Sequence, residues 1–101
     1  MMVMLKEGVK IVGLKPEAVL GIMICDGVYS KHGIDCVVTS ATDSKHGRGS
    51  FHYLGMAFDL RTRDMDSNLK QEIVIELRIA LGSEFDVVLE SDHIHVEWNP
   101  K

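Results

Sequence analysis

A chain of 101 residues has room for one domain, spanning 1–101, and is long enough to bury a core without disulfides. Apolar residues at 46% and charged residues at 26% argue against intrinsic disorder, collagen and coiled coil. The net charge of -4, from 11 basic and 15 acidic residues with no Lys/Arg cluster, leaves no track for nucleic-acid phosphates.

The apolar start, residues 1–5, is cut short by Lys6 and Glu7, whereas a secretory signal sets a basic segment before a longer apolar one. Residues 9–14 read as a short strand or an extended lead-in. Pro16 suits the first position of a helix; Ala18, Ile22, Cys25 and Tyr29 then fall on one helical face, and Gly33 suits its stop. The longest apolar run, residues 18–25, ends at Asp26, well short of the about 20 residues a membrane span needs. The expectation is therefore a soluble protein made in the cytoplasm with no membrane partner. Cys25 and Cys36 form neither a disulfide framework nor a CxxC knuckle and are expected as packed thiols in a reducing compartment. The methionines are expected as core filler, and His32 as a helix-end residue with no chemistry.

Residues 34–39 are rich in β-branched side chains and predict a strand. Residues 40–50 are small and polar with two glycines, and predict a loop of the length that often carries function. Residues 55–61 alternate, Met56, Phe58 and Leu60 on one side and Ala57, Asp59 and Arg61 on the other. Asp66 or Ser67 can cap a second helix with Leu69, Ile73, Leu77, Ala80 and Leu81 as its apolar stripe and Gly82 at its end. Strands over 85–89 and 93–98 are close enough for a hairpin. The sum is an α+β domain with helices packed on one face of a small, mainly antiparallel sheet.

The last strand is the most informative. Ile94, Val96 and Trp98 share one face; His93, His95 and Glu97 share the other. If the strands of Asp59 and His95 belong to one sheet, these two side chains lie on the same open face, and a turn at Leu54-Gly55 brings His52 to them. Two imidazoles and a carboxylate make a ligand set suited to zinc with a fourth position left for water, whose pKa the ion lowers to roughly 7. Asp92 and Glu90, just before His95, are candidates for the base that manages its proton. In a straight strand Asp92 would point to the core at a high cost, which supports a turn at residues 90–92. Glu97 is read as an exposed strand residue, with orientation of a ligand as the alternative.

Residues 50–59, SFHYLGMAFD, fit the pattern S-x-H-x-x-G-x-A-x-D, and Asp92-His93-Ile94-His95 follows downstream. Together they resemble the zinc D-Ala-D-Ala peptidase family and the Hedgehog signalling domain that shares its fold. The resemblance runs from residue 37 to 98 with gaps. It implies His52, Asp59 and His95 as zinc ligands, Asp92 as general base and His93 as the residue that helps hold the oxyanion or the water. It also implies Ser50 as support for the ligand loop or a substrate contact, with Gly55 and Ala57 structural. The zinc site then lies on the sheet face opposite the helices.

One position departs from the family. Many of these peptidases carry an Arg in an upstream S-x-x-R segment; here residues 39–43, TSATD, put an acid near that place, and Lys45, His46 or Arg48 are the available substitutes. The function so implied is a zinc peptidase hydrolysing an amide beside a D-amino acid in bacterial peptidoglycan, of D-Ala-D-Ala carboxypeptidase or L-Ala-D-Glu endopeptidase type. Its size fits a phage lysis protein that acts on the wall after release. The alternative is a Hedgehog-like zinc module that binds a protein or cell-wall partner without turnover.

Overall fold

The computed structural model describes residues 2–43 and 50–101. The elements are β1 (Val3–Leu5), α1 (Pro16–Lys31), β2 (Cys36–Ser40), β3 (Ala57–Arg61), α2 (Ser67–Leu81), β4 (Phe85–Leu89) and β5 (His93–Trp98). The five strands form one mixed sheet in the order β1-β2-β3-β5-β4. Only β1 and β2 run parallel, joined across α1; the remaining neighbours are antiparallel. The fold class is α+β.

The helices cover one face of this sheet. Ile22, Cys25, Val28 and Tyr29 of α1 and Ile73, Val74, Leu77 and Leu81 of α2 close over Val38, Phe58, Leu60, Ile94 and Val96. Pro16 occupies the first turn of α1, where its missing N–H costs no bond. Asp66 caps α2, its Oδ1 accepting from Leu69 N–H at 2.8 Å. The buried stripe of α2 takes in Val74, which leaves Ala80 exposed at its rim.

Two sequence expectations change. Residues 9–14 hold no strand; turns at residues 7–8 and 12–13 interrupt them, and the first strand is Val3–Leu5 instead. Three residues on a sheet edge are too few to show a period, and their side chains stay exposed. Nor are the methionines mainly filler: Met65 is buried, but Met2, Met4 and Met23 lie exposed near the edge strand and on α1. Cys25 and Cys36 are free and buried, and burial pushes the Cys36 thiol up to about 12, with the Asp26 charge adding to it. Such thiols are packing groups, not nucleophiles. No helix among the described residues is long and apolar enough to cross a membrane.

Candidate metal centre

Because side chains alternate along a strand, the residues between the core positions of β3 and β5 face away from the helices. Asp59 and His95 are direct cross-strand partners there, with Arg61 opposite His93 and Ala57 opposite Glu97. His52 comes from the turn before β3. Backbone bonds from Leu54 N–H to Ser50 O, Gly55 N–H to His52 O and Met56 N–H to Phe51 O wind that turn tightly. Gly55 completes it at φ +74, pressed so close to the Gly13 carbonyl that a Cβ would collide with it. Its own carbonyl accepts from Lys15 N–H at 2.8 Å, which ties the turn to the start of α1.

Three donor atoms converge. His52 Nε2 lies 3.0 Å from Asp59 Oδ1 and 3.2 Å from His95 Nδ1, and the last two are 3.1 Å apart. Ligands at about 2.0–2.1 Å from a tetrahedral zinc lie about 3.3–3.4 Å from one another, so small side-chain shifts would admit the ion. The site is largely closed to water: His52 is 3% and Asp59 8% exposed.

The outer nitrogens decide what the inner ones are. His52 Nδ1 lies 3.0 Å from the Ala41 carbonyl oxygen, which can only accept, so Nδ1–H donates and Nε2 keeps its lone pair inward. His95 Nε2 lies 2.7 Å from Glu97 Oε1, which assigns its proton outward in the same way and leaves Nδ1 facing the site. With both rings neutral, three lone pairs meet within 3.2 Å and repel unless a cation or a proton lies among them. Without metal a proton serves: the Asp59 hydrogen bond, against the opposing effect of burial, raises His95 to about 8. Burial works to raise Asp59, but a proton held among His52, His95 and its own carboxylate, hydrogen-bonded to that carboxylate, keeps it below the usual carboxylate range.

Glu97 therefore has a partner, contrary to its reading as an exposed strand residue. It is two residues beyond His95 on the same strand face, a spacing visible in the sequence. The Ala41 carbonyl was not visible there. Asp43, the acid near the expected Arg position, makes it available: its Oδ1 accepts from Ala41 N–H at 2.8 Å and Lys10 N–H at 3.2 Å. Thr42 also bonds the Lys10 carbonyl, through N–H at 2.9 Å and Oγ1 at 3.0 Å. Ser50 Oγ accepts from His52 N–H at 3.2 Å, a loop-supporting contact.

Asp92 does not point to the core. A bend at residues 91–92 precedes β5, closed by Glu90 N–H to the His93 carbonyl, and the Asp92 side chain is 86% exposed. Its Oδ1 lies 2.7 Å from His93 Nδ1, and that hydrogen bond lowers its pKa. His93 Nε2 lies 3.7 Å from Asp59 Oδ2, so the ring stands between the two carboxylates. His46 and Arg48, with Lys45, fall outside the described residues.

A second group of ligand types, His32, Glu72 and Glu76, also gathers on the surface of the helices. There Lys31 Nζ already stands 3.3 Å from Glu76 Oε1 and His32 Nε2 2.8 Å from its Oε2, so positive charge is already supplied. No protein-family model matches the chain, and no curated protein matches it.

Proposed function

We propose that the chain is a zinc-dependent peptidase of the D-Ala-D-Ala peptidase and Hedgehog type, in fold as in chemistry, hydrolysing an amide beside a D-amino acid in peptidoglycan peptides. The observation that supports it most is the set of three inward lone pairs of His52, Asp59 and His95, with both outer imidazole nitrogens engaged. A histidine pair and one carboxylate leave a tetrahedral ion one open position, the pattern of a catalytic site. Zinc held there supplies Lewis acidity, which acidifies water and polarises an amide carbonyl.

The remaining work falls to the chain's own groups. Glu97 and the Ala41 carbonyl hold the two imidazoles in the donor tautomer. Asp92, kept ionised by His93, takes a proton from the attacking water and returns it to the leaving amine. His93, bonded to Asp92 on one side and near Asp59 on the other, holds the base at the mouth of the site and lines the place where an oxyanion would develop.

One observation favours the second reading, a zinc module that binds without turnover: the Asp92 carboxylate is largely in solvent and engaged by His93. Mass spectrometry of muropeptides incubated with zinc-loaded protein separates the two. New fragments from the parent and none from Asp92→Ala are expected, and their masses name the bond. No fragments from either, with one zinc still bound per chain, would replace the peptidase with the binding module.

A further inference from the structure

The two edges of the sheet are finished differently. At the β4 edge the Val87 carbonyl is covered by Arg78, whose Nε donates to it at 3.2 Å and Nη2 at 2.8 Å. Asp86 adds charge to that strand and accepts from Asn99 Nδ2 at 2.9 Å. A covered carbonyl and a charged side chain both keep an edge from pairing. Among the described residues, β1 has neither. The Met2 carbonyl and the Lys6 N–H turn inward, to Cys36 N–H at 3.3 Å and the Val38 carbonyl at 2.9 Å. By alternation the N–H and C=O groups of Val3 and Leu5 point outward, past the last strand of the sheet. The side chains on that edge are apolar, and Met2, Val3, Met4 and Leu5 are each between 38% and 62% exposed.

We infer that β1 is a self-association edge: two copies of this chain pair antiparallel along it, about a two-fold axis at Met4, into one continuous sheet. In that register the strand is its own complement. Val3 and Leu5 of one copy exchange both N–H···O bonds with Leu5 and Val3 of the other, and the two Met4 side chains meet on the open face. Charge favours a second copy over an unrelated strand. Among the described residues, neither Lys6 nor Asp35 makes an ion pair within the chain. Asp35 immediately precedes β2 and stands beside Met2, one step before the Val3–Cys36 pairing. Met2, Met4, Lys6 and Asp35 all fall on the open face. In the dimer, Lys6 of each copy lies across Met2 of the other, two strand spacings or about 10 Å from Asp35 between backbones, a gap the two side chains can close. The two-fold makes that contact twice. Both sets of helices stay on one side and both donor triads on the other, away from the paired edges, so association leaves the candidate metal centres open. A three-residue strand brings far fewer residues than the roughly 20–30 a side of a standard interface, so a weak, micromolar dimer is expected.

The inference does not depend on the peptidase reading, and its test needs neither zinc nor turnover. Sedimentation velocity of the chain from micromolar to millimolar concentration should show a monomer–dimer equilibrium. Val3→Pro removes one outward N–H and leaves the bonds to β2 in place; Met4→Lys sets two like charges face to face on the axis. Both should give a monomer with an unchanged denaturant unfolding curve. Lys6→Asp and Asp35→Lys should each weaken the dimer about tenfold, since each change acts twice. The double variant, with the charges exchanged, should recover it, which simple loss of folding would not do. In a mixed sample of labelled and unlabelled chain, contacts between copies should join Val3 to Leu5. A monomer at every concentration, or a dimer that survives both Val3→Pro and Met4→Lys, would overturn the inference. A monomer whose β1 amides shift on addition of muropeptides would give the edge to a ligand strand and equally overturn it.

Discussion

The two faces of the same pair of strands do opposite jobs. On β3 and β5, Phe58, Leu60, Ile94 and Val96 are fully buried against the helices. One residue along, Asp59, His93, His95 and Glu97 form a network of charged and lone-pair groups on the other side. The first face gains from excluding water and tolerates replacement by similar volumes. The second is held by direction, because each nitrogen and oxygen needs its own partner. A one-residue slip of β5 against β3 would bury the histidines and expose the isoleucine and valine, so the core face sets the register that the site uses.

Phe58→Ala attacks the core face alone. It should cost about 3–5 kcal/mol in denaturant unfolding, and at temperatures where the variant stays folded the donor triad should still take up zinc. Loss of both stability and metal binding would show that the faces are not separable. Asp59→Ala or His95→Ala attacks the other face. Metal affinity by calorimetry should fall by more than about 100-fold, beyond what loss of an outer partner does. The core should remain cooperative in its unfolding.

A smaller effect is expected at Glu97. Glu97→Ala should weaken zinc binding about 10–100-fold through the freed His95 ring, and Glu97→Gln should recover part of it by still accepting the Nε2–H. An unchanged affinity in both would remove Glu97 from the site.

The smallest expected effect is on pH. In the metal-free chain, His95 has a folded pKa of about 8, raised from 6.5 mainly by the Asp59 hydrogen bond. Its contribution is complete below pH 6.5 and is lost as pH rises through 8. For a ring partly open to solvent it should be of the order of 1 kcal/mol. Zinc should invert that trend, since its affinity grows as the imidazoles lose protons. Unfolding curves at pH 6 and 9, with and without zinc, check both signs.

Local pattern carried much of this molecule. Helices at α1 and α2, with Pro16 and Asp66 at their starts, follow from capping chemistry and a recurring apolar face. The face assignment of Asp59 and His95 follows from strand alternation, because β3 and β5 alternate cleanly. Edge strand β1 was not legible: its three residues have no period and no buried face, and only pairing with β2 makes them a strand.

Alternation by itself determined which residues of β3 and β5 could face a metal, and the motif spacing named His52 as their companion. The tertiary structure decided the rest, for reasons no local pattern contains. Direct pairing of Asp59 with His95 requires β5 to insert between β3 and β4. The tautomer of His52 depends on a carbonyl 11 residues away in sequence, held in place by Asp43 and Lys10. Lys6, Arg61 and Arg63, which line a cleft with Asp59, Asp92 and His93, come from the residue after β1, the end of β3 and the connection after it. Side-chain direction is a property of the strand that bears it, whereas partner identity is a property of how strands and turns meet.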